Sequence, residues 1–275
     1  MRLRKLLALL LFPFVATSEI AAQQKSDPTQ DRLANASGMA SLTNNDVELL
    51  SSEARSGNPE AQYWLAMVYE DGRLVPKDAS QFEYWLVKSA EQGFVRSEEV
   101  LGLVLKDKDR PASERWLLRA AEQGDAEAQL WLGLAYEENW YGTTDYQLAA
   151  KWYAKAADQG QPDAQVSLGQ MYKDGRGVEQ SYRMAAEWYR KAAEHVPDFE
   201  GAGQGRNELA LLYMDGLGVP KDYVLAYMWL SVANLKQECA MLQAEMTPAQ
   251  ISEAQRMAEQ WKAAHPAPEI LYSSK

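Results

Sequence analysis

The chain has 275 residues, 47% of them apolar and 24% charged, enough for a globular core and without a low-complexity signature over most of its length. Its 39 Asp and Glu outnumber 28 Lys and Arg, for a formal net charge of −11. That acidity, most of which serves solubility, excludes DNA, RNA and anionic lipid as expected partners, because contacts with them depend on clustered cations.

From the N-terminus, Arg2, Arg4 and Lys5 precede an apolar run over 6–15, and small residues follow at Ala16, Ser18, Ala21 and Ala22. This is the pattern of a secretory signal peptide over 1–22. Ten residues interrupted by Pro13 supply about half of the ~20 needed to cross a bilayer, so cleavage is expected rather than anchoring, with no membrane insertion afterwards. The cut falls after Ser18 or after Ala22. Removal of residues 1–22 deletes three basic residues and one acidic one, taking the net charge from −11 to −13. Residues 23–44, rich in Gln, Ser, Thr, Asn and Asp, read as a flexible leader, and 45–57 as an N-terminal capping helix.

Beyond that point the chain repeats. Trp85, Trp116, Trp152, Trp188 and Trp229 stand 31, 36, 36 and 41 residues apart, and Tyr69, Leu105, Tyr136, Tyr172 and Tyr213 are separated by 36, 31, 36 and 41. Two registers drifting together imply whole units in array, each burying its apolar face against its neighbours. Residues 162–194 are the cleanest copy. Ala164, Leu168, Gly169, Met171 and Tyr172 fall at helical spacing after Pro162, which suits a first helical turn. Gly175 and Gly177 then provide the positive φ at which that helix stops and the chain reverses. Ala185, Trp188, Tyr189, Ala192 and Ala193 form one face of a second helix, with Asp78, Asp145, Ser181 and Asp222 placed to cap the second helices of their copies. Each unit is therefore a helical hairpin.

In the composite pattern Ala-x-x-x-Leu-Gly-x-x-Tyr-x-x-Gly-x-Gly-Val followed by Ala-x-x-Trp-Tyr-x-Lys-Ala-Ala-x-x-Gly, the chain resembles the Sel-1-like repeat family, a relative of tetratricopeptide repeats. The resemblance covers 58–235 in five copies. Copy two, over 97–124, departs from it, with Lys106–Pro111 in place of the tyrosine and glycine loop, and an inserted loop over 195–205 is expected to follow copy four. The implied fold is all-α, a right-handed α/α superhelix of about five helix-turn-helix repeats. A C-terminal capping helix over 236–265, in which Thr247 caps and Gln250 reaches back, and a tail over 266–275 complete the chain. With the compact signal, the resemblance further implies a secreted, periplasmic bacterial protein.

A search for chemistry finds few carriers. The two histidines, His195 and His265, lie near prolines and are expected to be exposed, and the single cysteine, Cys239, reads as a small buried residue. The sequence has no His-Glu-x-x-His, Cys-x-x-Cys, Gly-x-Ser-x-Gly or Gly-Lys-Ser/Thr motif, so no metal, cofactor or catalytic residue is assigned. Cysteine-rich relatives proposed to act on β-lactams depend on cysteine pairs that this chain lacks. The expected function is a non-catalytic scaffold for protein–protein interaction in the envelope. Its rivals are a hydrolase of peptidoglycan or β-lactam using paired carboxylates, and a self-associating structural subunit.

If the first helices line a concave side, as the resemblance implies, the variable positions on them form the partner surface: Trp64, Met67, Trp131, Leu134 and Gln170. Trp64 and Trp131 either anchor a partner or fill gaps between hairpins. Trp140 and Tyr141, standing where copy four has Arg176 and Gly177, either meet a partner or fold back on copy two, but two aromatics in a loop are hard to hide.

Overall fold

The computed structural model describes residues 42–195 and 200–266, so the signal segment, nearly all of the leader and the tail beyond Pro266 lie outside the described residues. Thirteen helices and no strand occur among the described residues. They are α1 (Asn44–Ser56), α2 (Pro59–Asp71), α3 (Ala79–Glu91), α4 (Val95–Leu105), α5 (Arg110–Glu122), α6 (Ala126–Glu137), α7 (Tyr146–Asp158), α8 (Pro162–Asp174), α9 (Tyr182–Ala193), α10 (Glu200–Asp215), α11 (Tyr223–Val232), α12 (Lys236–Gln243) and α13 (Pro248–Ala264). Two compact units are present, one up to Leu101 and one from Gly102.

The local chemistry is that of capped hairpins. Asn58 caps α2 with Pro59 in its first turn, Gln161 and Pro162 do the same for α8, and the side chains of Asp78, Asp145, Ser181 and Asp222 accept amides at the starts of α3, α7, α9 and α11. The recurring tyrosine acts through its backbone as well. The carbonyls of Tyr69, Tyr136, Tyr172 and Tyr213 accept the amides of Asp78, Asp145, Ser181 and Asp222 at 3.2, 3.0, 2.8 and 2.9 Å, closing each hairpin from the end of its first helix to the cap of its second. In copy three Asn139 takes the left-handed conformation at φ 63° where copy four has Gly175 at φ 70°, and Gly142 follows in the same loop at φ 92°.

Within the first unit, Leu50 and Ala54 of α1 pack with Ala61, Leu65 and Val68 of α2. Gln62 donates to the carbonyl of Ala54 at 2.9 Å and accepts from Gln92 at 2.7 Å. The second unit repeats this arrangement. Gln129 donates to Ala121 at 3.0 Å and accepts from Gln159 at 2.8 Å, and Gln165 donates to Ala157 at 3.1 Å. In copy five the equivalent residue is Arg206, 1% exposed, whose Nε donates to Ala193 and whose Nη2 donates to His195. A buried polar side chain at one fixed position thus ties each of these hairpins to the helix end before it.

Glycine sets the depth of packing. A Cβ at Gly169 would lie 2.6 Å from the ring of Tyr189, and one at Gly133 would overlap Tyr153, so these two fully buried tyrosines lie flat on bare helix faces. Gly177 and Gly218 instead admit a neighbouring backbone, since a Cβ on either would overlap Tyr146 or Tyr182, the first residue of the second helix in the preceding copy.

Three sequence expectations are corrected. The C-terminal cap is two helices, α12 and α13, because Ala244–Met246 turns before the Thr247 capping box. The insertion over 195–205 is helical from Glu200, because Gly201 packs on Asp163 and Gly205 on Ala192, so these glycines serve close approach rather than a loop. His195 is half-buried rather than exposed. Cys239 is buried in the core of the second unit, as expected.

Candidate functional site

In the second unit, the first helices of copies three, four and five are α6, α8 and α10. Their frame residues Leu132, Leu168 and Leu209 are buried, at 0%, 2% and 0% exposure. The variable positions beside them are not. Trp131, Leu134, Ser167, Gln170 and Glu208 are half-buried, and Leu211 is 40% exposed. A small open pocket of about 160 Å³ lies among these helices, lined by Glu137, Asp163, Val166, Ser167, Gln170, Arg176 and Gln204.

Its wall is a chain of hydrogen bonds. Tyr153 donates to Glu137 at 2.7 Å, the Arg176 guanidinium meets the other Glu137 oxygen at 2.6 Å, and Arg176 Nε lies 3.3 Å from Asp174. Gln170 donates to Asp174 at 2.9 Å and accepts from the Tyr189 hydroxyl at 3.0 Å. Burial works against the charge of Arg176, but Glu137 and Asp174 outweigh it and raise its pKa. Burial, reinforced by Glu137 at Tyr153 and by Glu208 and Asp174 at Tyr189, pushes both phenols well above their ordinary value, so they remain fixed donors. At the outer edge Lys173 pairs with Glu208 at 2.8 Å.

The expected partner residues are dispersed. Trp131, Leu134 and Gln170 lie on this face. Trp64, half-buried against the edge of Tyr63, belongs to the first unit, and Met67 is buried at 5%. The expectation that Trp140 and Tyr141 are hard to hide is corrected. Trp140 is 8% exposed, stacks on Trp131 at 6.4 Å, carries Lys106 Nζ 3.7 Å from its ring, and donates its indole N–H to Glu138. Tyr141 is half-buried, edge-on to Tyr136, with its phenol pushed up to about 12, chiefly by burial and also by the charge of Glu114. The loop folds back on copy two, whose turn over 106–109 leaves the space. Met67 and Trp140 therefore belong to the core rather than to a contact surface. Arg176, in Trp140's register one copy later, reaches back in the same direction to Glu137.

Among the described residues, no group of His, Cys, Asp and Glu is placed to hold a metal ion, and no helix is long and apolar enough to cross a membrane.

Among curated proteins, none matches the chain. Solved structures are similar to the chain, among them two bacterial proteins. A protective antigen present in uropathogenic Escherichia coli strains, with an SLR fold, shares 29% identity at a TM-score of 0.72 over 86% of this chain, which spans only 52% of that protein's length. A Sel1 repeat protein from Oxalobacter formigenes shares 26% identity at a TM-score of 0.67, covering 85% of this chain and 97% of the other. The Sel1 repeat family model matches residues 59–94, 101–125, 126–161, 162–195 and 204–234, segment by segment with the hairpins described above. With more than half of its length so matched, the chain belongs to the Sel1 repeat family.

Proposed function

We propose that the chain is an exported, non-catalytic adaptor of the bacterial cell envelope, located in the periplasm, that holds a protein or peptide partner along the face formed by α6, α8 and α10. Sel1 repeat proteins generally act as protein-interaction adaptors. The observation that carries the reading is the contrast on those helices between buried frame residues and accessible variable ones such as Trp131, Leu134, Gln170 and Leu211. A rigid frame that presents varied side chains in register pre-organises a contact surface and lowers the entropy lost on binding. Export is supported by the basic, apolar and small-residue pattern of 1–22, and a bacterial source by the similarity to an Escherichia coli protective antigen.

The test is site-specific photo-crosslinking in intact envelopes, with the crosslinker at Leu134, Gln170 or Leu211 and, as control, at Arg183, whose side chain is 71% exposed. One and the same partner should be captured from the first three positions and not from the fourth. Equal capture at Arg183, or none from any position, would overturn the reading.

A further inference from the structure

We infer that the pocket among α6, α8 and α10 receives a lysine or arginine side chain of the partner, an inference that rests on the adaptor reading and names the chemistry of its contact. At about 160 Å³ the cavity has room for one long side chain rather than for a helix. Its wall is already built: both Glu137 oxygens and both ends of the Gln170 amide are engaged within the protein, so an incoming group does not have to order them. Val166 supplies an apolar surface for an aliphatic stem, and Ser167, Asp163 and Gln204 supply polar ones for a head group.

Charge decides which head group. Glu137, Asp163, Asp174 and Glu208 gather in and around the pocket against Arg176 and Lys173, an excess of two negative charges on a chain whose net charge is −11. An acidic side chain would enter against that field, and a purely apolar one would strip water from carboxylates and amides without replacing its hydrogen bonds. A lysine or arginine does neither, since its stem packs and its head pairs. Leu134 and Leu211 occupy related registers one copy to either side of Gln170, so the preferred segment is a basic residue flanked by apolar ones.

Fluorescence anisotropy with labelled nonapeptides tests this on the full chain without its signal segment. The peptides carry leucines on either side of a central arginine, lysine, norleucine or glutamate. The basic peptides should bind about ten-fold tighter than the norleucine peptide, with glutamate weakest, and the preference should shrink as salt is raised. Ser167→Phe, which fills the cavity, should abolish the preference, with an unchanged melting temperature showing that the fold is kept. Asp163→Asn should reduce the preference about five-fold. Equal affinity for arginine and norleucine peptides, a preference that survives Ser167→Phe, or no binding of any peptide overturns the inference. The adaptor reading falls separately, by the crosslinking outcome.

Discussion

At the scale of single residues, the repeat is enforced by what cannot be larger. Gly177 combines a φ of 70° with the backbone of Tyr146 where a Cβ would stand, so Gly177→Ala combines strain with a clash against atoms that cannot turn away and should cost about 2–4 kcal/mol in urea unfolding. Gly203, inside α10 with open space around it, gives the opposite expectation: Gly203→Ala should stabilise by about 0.5–1 kcal/mol. A second residue-scale consequence concerns His195, which stands at the position of Gln92 and Gln159. Those two donate to Gln62 and Gln129, whereas no donor among the described residues reaches the buried Oε1 of Gln165. His195→Gln should restore that bond and raise stability by about 0.5–1.5 kcal/mol. The same variant carries a pH signature. Burial, opposed by Glu194, lowers the His195 pKa below its ordinary 6.5, so the neutral ring is the folded form. The wild type should hold its full stability above pH 6.5 and lose part of it as the pH falls through the lower folded value, a loss that thermal unfolding should not show in the glutamine variant.

At the scale of helices, the same position needs different cover at the end of the array than within it. Trp116, Trp152 and Trp188 each lie under a cation one turn on, with Arg119, Lys155 and Lys191 at 4.7, 3.9 and 3.6 Å from their rings. Trp229 has Val232 at that place and meets Trp261 of α13 edge-on at 6.0 Å instead. Trp261 in turn lies under the buried guanidinium of Arg206 at 4.7 Å, so α10, α11 and α13 close on one aromatic pair. Trp261→Ala should cost about 2–4 kcal/mol and Arg206→Gln less, about 1–2 kcal/mol, since glutamine keeps the bond that Gln129 and Gln165 make in their copies. The double mutant should show about 0.5–2 kcal/mol of coupling, and strict additivity would mean that the two side chains do not act together. Thr247, Pro248 and Gln250 announced α13 in the sequence because a capping box is local chemistry. The start of α10 at Glu200 was not legible, because three glycines in six residues read as a loop unless the partners that need their bareness, Asp163 and Ala192, are known.

At the scale of the whole molecule, the hairpins were legible because helix starts, stops and apolar faces recur every 31 to 41 residues, and register alone placed Trp131, Leu134 and Gln170 on one series of first helices. The pocket was not legible, since Glu137 and Arg176 are 39 residues apart and each alone resembles a solvated surface charge. The buried polar series Gln62, Gln129 and Gln165 left a signal in its spacing of 67 and 36, but glutamine is ordinarily read as surface. Coupling between neighbouring copies has an energetic consequence. In the unit from Gly102 onward, each hairpin is held by its neighbours through contacts such as Gly177 on Tyr146 and Gln165 on Ala157, so a fault should spread to adjacent copies and then fade. Hydrogen exchange reads this directly. Gly177→Ala should speed exchange in α7, α8 and α9 and leave α13 near its wild-type rate, whereas Ala258→Asp, placing a charge at a 2% exposed site in α13, should speed α13 and α11 first. If both variants accelerated every amide of the unit alike, it would unfold as one block, and nearest-neighbour coupling would not describe its stability.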